Sequence, residues 1–574
     1  MTSPTDRTER PDRAATDRAA TASTDAANDE RALRPPWSRN RIVGIAAAIG
    51  AVVAIVVSAR EVGVDPQRLV DGWADLGNLL GRMLPVEIPQ PSRVVGPILD
   101  TLMMAVAGTA LALLLSLPLS FLAAANTAPS PAVRAVARAI ILGARSIPDL
   151  VYALIFVRVL GVGVLPGVLA VAIYSTGMIG KLFADAIEEV DDEIHQAVAT
   201  VGATRLQAIM TGVLPQVLPS FVSTTLYRLD MNVAASAVLG FVGAGGIGFE
   251  LYNTLRTLQY QRGLGLALII IALVVIVERI SAAIRASILA HEQPTRARPR
   301  PRRPVQDRPA AAKGPRLSPP WTRDRLTRQI AVVTAVGLAM VSFAGLGISP
   351  GALLRAIPEL VASVGTFLPP DFASVREDLG PAIAETLTIA VCATALATTL
   401  SLPIAFLAAR TVAPHPAVYH AARLVIVLSR GLPPLVLALI FVSAFGLGPF
   451  AGVIALGLGS IGLTAKLMAD AIEHLDPGPR AALRSVGATR LQQATAGVVP
   501  QVAPSFVATT LFTLDSTIRS STIVGIVGAG GIGFITYQSV HTLQFRTTAA
   551  VLIVIFGTVF VVERFSDMLR KRIL

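Results

Sequence analysis

Asp515 and Arg519 stand four residues apart in an apolar run and are followed by Ser520, Ser521 and Thr522. On a helix, i and i+4 share a face, so this carboxylate and guanidinium can pair. A guanidinium presents a planar fork of donors that suits a tetrahedral oxyanion, and hydroxyls add further bonds. Charge inside an apolar span is costly and marks function by default. Arg519, Ser520 and Thr522 are therefore expected to line an anion path, partly neutralised by Asp515. The competing expectation is a buried Asp–Arg pair that only joins helices. An equivalent stretch lies 285 residues earlier, with Asp230 for Asp515 and with Arg228 and Asn232 close by; Asp230, Asn232 and Ser236 are expected to line the same path. There Ala234-Ala-Ser236-Ala replaces the Arg-Ser-Ser-Thr run, so the expected path is asymmetric. Arg145 and Arg430, also equivalents, either face the path or snorkel to an interface. Glu278-Arg279 and Glu563-Arg564 are expected to pair locally, and Lys181 and Lys466 to anchor the ends of spans.

Other chemistry finds little support. The six histidines lack metal-ligand spacing, Cys392 is the one cysteine, and no phosphate-binding GxxxxGK[ST] occurs. The sequence thus predicts no catalytic residue, no metal site and no cofactor in this chain. Gly243-x-Gly245-Gly246-x-Gly248 and Gly528-x-Gly530-Gly531-x-Gly533 match a dinucleotide-binding pattern. That pattern needs a preceding strand and an acid about 20 residues on. Here it follows an apolar span and precedes another. A flexible turn at the outer end of the fifth span, flanking a vestibule or gate, is the better reading.

The elements that must position these residues are membrane helices. Of 574 residues, 53% are hydrophobic and only 15% charged, with mean hydropathy +0.64. Soluble chains carry about 25% charged residues, so an ordinary soluble enzyme is excluded. Apolar runs fall near 41–59, 99–125, 137–160, 163–180, 211–244 and 263–284, and again near 329–347, 384–409, 421–446, 449–466, 496–529 and 548–567. Each is long enough to cross a hydrocarbon core of about 30 Å, and backbone in lipid must be helical. Pro118, Pro148, Pro403 and Pro433 are expected to kink their spans.

The second set of runs is a copy of the first. Lys181-Leu-Phe-Ala-Asp-Ala-Ile-Glu188 returns as Lys466–Glu473, Val201–Gln207 as Val486–Gln492, and Gly240–Phe249 as Gly525–Phe534. The offset is 285 throughout, and 21 of the 37 positions from 181 to 217 are identical to their partners. The expected organisation is a disordered tail over 1–40, a six-span half over 41–284, a basic linker over 285–328 and a second six-span half over 329–574. The linker holds twelve Lys/Arg against three acids, most of the net charge of +12. It reads as a cytosolic loop under the positive-inside rule, touching anionic lipid rather than nucleic acid. The acid-richer loops 60–98 and 348–382 then face outside. Both termini are cytosolic, both halves share one orientation, and the pseudo-twofold axis runs along the membrane normal.

One short cytosolic helix precedes the fifth span of each half. Ile194, Ala197, Val198 and Val201 share a face, then Gly202 interrupts; Ala482, Leu483, Val486 and Gly487 answer in the second half. A matched pair of pegs suits docking into a two-fold partner. The pattern resembles the EAA loop of ATP-binding-cassette importer permeases, with a Gly followed by Leu-Pro (Gly202, Leu214-Pro215; Gly487, Val499-Pro500). Gln196 and Ala481 stand at the usual Glu. Ser146–Val157, Gly180–Leu182, Thr200–Gln207, Val213–Val217 and Val238–Leu251 narrow the likeness to the phosphonate permeases of that superfamily, over about 95–285 and 380–570. This chain resembles two such permeases fused.

The resemblance implies an all-α integral membrane fold of two tandem type I importer domains, about twelve spans in all. It implies a pore subunit in the cytoplasmic (inner) membrane, two cytosolic ATPase subunits that bind ATP and Mg, and an extracytoplasmic binding protein. It implies alternating access, with coupling through Gln196, Ala197, Gly202, Ala203 and Arg205 and through Ala482, Gly487, Ala488 and Arg490. The cargo expected is a phosphonate-type oxyanion. Alternatives are inorganic phosphate, phosphite or another small solute in the same class of importer, or a secondary transporter with its own ion relay.

Overall fold

With no water to satisfy peptide groups in hydrocarbon, long apolar runs have the helix as their solution. Every regular element among the described residues is helical. The computed structural model describes residues 39–63, 66–190, 200, 202–292, 323–431 and 433–573. The tail over 1–38 and most of the expected linker, 293–322, lie outside them.

The first half contains α1 (Arg39–Glu61), α2 (Pro66–Arg82), α3 (Pro91–Ala123), α4 (Pro131–Ser146), α5 (Asp149–Leu160), α6 (Val164–Glu188), α7 (Leu214–Leu239), α8 (Gly246–Arg256) and α9 (Tyr260–Glu292). The second contains α10 (Arg323–Gly345), α11 (Pro350–Val364), α12 (Arg376–Ala408), α13 (Pro416–Gly431), α14 (Pro434–Phe445), α15 (Pro449–Glu473), α16 (Gly478–Ser485), α17 (Val499–Val524), α18 (Gly531–His541) and α19 (Phe545–Ile573). From α3 to α8, every helix returns as α12 to α15, α17 and α18 with both ends shifted by the same 285 residues.

Eight helical runs are long and apolar enough to cross a membrane, and up to eleven if each of three bent pairs counts as one span. The expected third spans are not single helices. The chain bends by 86° between α4 and α5, at Pro148, and by 84° between α13 and α14, at Pro433. Proline has no N–H to donate to a preceding turn, but it fits at the start of a new helix. Pro118 and Pro403 sit inside α3 and α12, which continue through them. The fourth spans run on to Glu188 and Glu473, so Lys181 and Lys466 lie inside helices rather than at their ends.

Small residues set how closely the helices pack. A Cβ on Gly108 of α3 would stand 2.6 Å from Val171 of α6, and one on Gly457 of α15 would stand 2.6 Å from Leu396 of α12. Such contacts are how helices associate where lipid removes the usual hydrophobic drive. Apolar residues turned outward, such as Leu114, Val333 and Met340, suit a lipid surround. The halves also exchange their leading helices. α1 packs on α12 and α2 on α14, while α10 packs on α3 and α11 on α5. The largest core cluster accordingly joins Met104, Leu150 and Leu239 of the first half with Leu435, Val436 and Ile526 of the second.

Candidate functional site

The seam between the halves is where buried charge collects. Arg145, in the last turn of α4, pairs with Glu563 of α19, and Lys181 lies 4.0 Å from the same carboxylate. At the equivalent position, Arg430 of α13 pairs with Glu278 of α9 and lies 3.8 Å from Asp230 of α7. All four of these links cross from one half to the other. The expectation that Glu278 and Glu563 pair with Arg279 and Arg564 is therefore corrected. Adjacent helix residues point about 100° apart and do not face each other. Arg145 and Arg430 do not snorkel either; their side chains are only 12% exposed.

The third charged contact stays within one helix. Arg519 Nη1 lies 2.8 Å from Asp515 Oδ2 on α17, as the spacing predicts. The two halves thus resolve the same carboxylate differently. Asp515 has its own arginine one turn on. Asp230 has Ala234 there, and turns to Arg430 of the other half. Ser520 is half-buried beside Arg519, while Thr522 is buried with its carbonyl against Gly533. Ser236 is buried and its hydroxyl has no hydrogen-bond partner.

Asn232, one of the expected path residues, commits its side-chain amide to two neighbouring helices. Its Nδ2 donates to Thr109 of α3 at 2.8 Å, and its Oδ1 accepts from Ser175 of α6 at 2.9 Å. It ties three helices together. In the second half Thr517 fills that position and meets Thr394 at 2.8 Å. Two residues that sequence reasoning left out of the path complete the region. Arg228 of α7 is buried, its Nε donates to Ser175 at 3.1 Å, and its guanidinium lies 4.9 Å from the centre of the Tyr174 ring. Tyr174 is also within electrostatic reach of Arg519.

The glycine turns lie at the far ends of α7 and α17. Gly243, Gly245 and Gly246 take φ of +94°, +80° and +74°, and Gly528, Gly530 and Gly531 take nearly the same values. The expected flexible turn is in fact clamped. Ile247 N–H donates to the Thr101 hydroxyl at 2.9 Å, and Ile532 N–H to Thr386 at 2.9 Å. Glu385 adds a bond from Gly531 N–H at 2.7 Å; its equivalent Asp100 is one methylene shorter and makes no such bond. Thr101→Val removes the acceptor and leaves a buried N–H unpaired. We expect it to cost about 1–3 kcal/mol, read as a lower melting temperature in detergent, with Thr386→Val matching it.

At the opposite end lie the expected docking elements. Gln196 and Ala197 fall outside the described residues. Gly202 and Gly487 take φ of +82° and +80°, a conformation that favours glycine. Ala482 is exposed on α16, and Ala203 and Ala488 are half-buried. Arg205 and Arg490 turn inward to loop carbonyls, Arg205 to Thr127 at 2.8 Å and Arg490 to Pro414 at 3.2 Å. Three large apolar residues are among the exposed ones: Leu206 is 70% exposed, Val486 79% and Leu491 74%. A cavity of about 480 Å³ opens beside α16, lined by Pro414, Pro477, Arg480, Arg484 and Arg490.

The sequence matches the family described as binding-protein-dependent transport system inner membrane component over residues 116–289 and again over 401–574. The chain belongs to that family. It is a multi-pass inner-membrane permease with two copies of the family's domain. It is 44% identical over 520 residues to the phosphate-import permease protein PhnE of Mycolicibacterium smegmatis, covering 91% of this chain and 93% of that one. It is 44% identical over 222 residues to the phosphite transport system permease protein PtxC of Stutzerimonas stutzeri, 39% of this chain and 81% of the relative. A putative cryptic phosphonate transport system permease protein of Escherichia coli is 38% identical over 118 residues, 21% of this chain and 97% of the relative. The match to PtxC is a little longer than one of the two 174-residue stretches that match the family, of which this permease carries two in one polypeptide.

Proposed function

We propose that this permease carries a phosphonate-type oxyanion inward, past Arg519, with energy from two cytosolic ATPase subunits. The observation that carries the reading is Arg519 itself. One arm of its guanidinium is held by Asp515, leaving other donors for a tetrahedral oxyanion, and Tyr174 of the other half lies within its electrostatic reach. The names of the relatives, phosphate, phosphite and phosphonate, share that head group. Inorganic phosphate is the second reading, favoured by the relative matched along nearly the whole chain.

The basic linker and both termini lie in the cytosol, in keeping with the positive-inside rule. The ATPases, which bind ATP and Mg, dock on the exposed apolar residues around Gly202 and Gly487. An extracytoplasmic binding protein delivers the anion at the glycine-turn end. ATP binding draws the two docking elements together and rocks the halves about the seam, where paired charges exchange partners.

The test is uptake of labelled methylphosphonate, with unlabelled phosphate and phosphite as competitors, by cells with and without the gene. Gene-dependent uptake that phosphate does not block is the expected result; uptake abolished by phosphate moves the cargo to phosphate. Arg519→Ala is expected to lower uptake about tenfold or more. Unchanged uptake and competition in that variant would remove Arg519 from the path.

A further inference from the structure

We infer that Arg228 is a second anion-contacting residue, so that the oxyanion passes between one arginine from each half, set at different depths. The inference rests on the oxyanion reading above and adds a residue, a stagger and an order of contact to it.

The argument begins with charge balance at the seam. Arg145 and Lys181 share Glu563, Arg430 has Glu278 and Asp230, and Arg519 has Asp515. Arg228 has none. It is 6% exposed, and among the described residues no carboxylate lies within 4.0 Å of it. Asp149 is within its electrostatic reach but beyond ion-pair distance, and the Asp149 carboxylate accepts from Leu150 N–H at 2.9 Å. The guanidinium makes one hydrogen bond, from Nε to Ser175, and stacks on Tyr174. Among the described residues, the four N–H donors on its two Nη atoms have no hydrogen-bond acceptor. A buried cation with no counter-ion in contact is costly. Arginine inside a membrane protein is normally paired or turned to a water-filled path. An anion in transit supplies the missing partner.

Tyr174 connects this group to Arg519. The Arg228 guanidinium lies on its ring, and Arg519 of the other half is within electrostatic reach of the same residue. The two arginines are not repeat equivalents. Arg228 corresponds to Thr513, and Arg519 to Ala234. Each half therefore keeps one arginine on its fifth helix, six positions apart in register. At 1.5 Å per residue that is a stagger of about 9 Å along the helix axis. Arg519 lies nearer the glycine turn and Arg228 nearer the docking end. An anion entering at the turn meets Arg519 first and is handed on to Arg228. Asp515 keeps the first grip loose, and the Tyr174 ring, which covers one face of Arg228, leaves its edge free for bidentate contact.

A structural role for Arg228, pinning α7 to α6 through Ser175, predicts something different, and Arg228→Met separates the two. Because Asp149 lies within reach of Arg228, the variant is made with Asp149→Asn, so that no buried acid is left behind; replacing a buried cation and its acid by neutral side chains of similar size leaves the substrate-free protein about as stable. The experiment uses the full complex of this chain with its ATPase and binding-protein subunits in liposomes. The substrates are methylphosphonate and inorganic phosphate, and the melting temperature is followed with and without phosphate. Relative to Asp149→Asn alone, we expect Arg228→Met in that background to lower uptake roughly ten- to hundredfold, to keep or raise the substrate-free melting temperature, and to lose the rise that phosphate gives. Arg228→Lys keeps the charge without the fork and is expected to fall between. Wild-type uptake by Arg228→Met overturns the inference. So does loss of the protein from the membrane, or a lower substrate-free melting temperature, since either marks a structural pin. If Arg519→Ala fails while Arg228→Met transports normally, the oxyanion reading stands and this inference alone falls. If the wild type carries no phosphorus oxyanion, the reading fails and the inference with it.

Discussion

Arg430→Ala is expected to destabilise the permease far more than Arg145→Ala, although the two positions are equivalent in sequence. Arg430 holds two carboxylates where Arg145 holds one: Glu278 and Asp230, the latter 4% exposed. Removing the guanidinium leaves two acids in the seam with no cation within ion-pair distance among the described residues, Arg285 and Lys466 acting on Asp230 only from further off. Breaking one buried pair costs about 3–5 kcal/mol, because it leaves an uncompensated charge. Arg145 serves one carboxylate, Glu563, which keeps Lys181 at 4.0 Å. Its loss is expected to cost roughly 1–3 kcal/mol. The melting temperatures of the two variants in detergent measure the difference. Adding Asp230→Asn and Glu278→Gln to Arg430→Ala neutralises the stranded acids and should restore most of the stability. Equal effects at positions 145 and 430 would mean that Asp230 draws nothing from Arg430.

The second large effect belongs to the glycine turns. Gly248→Ala sets a methyl group 1.7 Å from the Ala237 carbonyl oxygen, and Gly533→Ala sets one 2.0 Å from that of Thr522. Both obstacles are backbone of the preceding helix, so neither can rotate away. The helix after the turn must lift off α7 or α17, and the Thr101 and Thr386 bonds open with it. We expect a loss of about 3 kcal/mol or more, with little or no assembled transporter recovered. Gly81→Ala is the matched control. It lies in α2, with nothing within 4 Å of the new methyl. There alanine is expected to stabilise by about 0.4–1 kcal/mol. Recovery of Gly248→Ala at wild-type level, by size-exclusion chromatography of the complex, would show that the turn yields.

Much of this architecture was legible because duplication writes each element twice. The 285-residue offset marks matching elements before any helix is drawn, and the Asp515–Arg519 pair follows from helical spacing alone. What was not legible depends on contacts between the halves. Nothing local to Glu278 says that its partner is Arg430, 152 residues on. The neighbour Arg279 draws attention, yet adjacent residues diverge on a helix. Arg228 was hidden for another reason. Comparing the halves position by position registers Ala234 as a lost arginine, and so overlooks that the first half carries its arginine elsewhere. Counting arginines per helix, rather than per aligned position, is the signal that finds it. The breaks at Pro148 and Pro433 could have been read from prolines that suit the first turn of a new helix better than the middle of an old one.

The exchange of leading helices bears on how the permease is made. α10, which covers α3, begins at residue 323, some 200 residues after α3 ends, and α12, the seat of α1, begins at residue 376. At a synthesis rate of about 5–20 residues per second, the first half waits in the membrane for about 10–40 s with that flank of α3 open to lipid. Neither half is then a finished folding unit at the moment it is inserted. Joining the halves in one polypeptide means that the cover arrives tethered, at one copy per vacancy, and in a fixed order. Two separately made halves would have to find each other by diffusion in the bilayer, each with an unfilled flank.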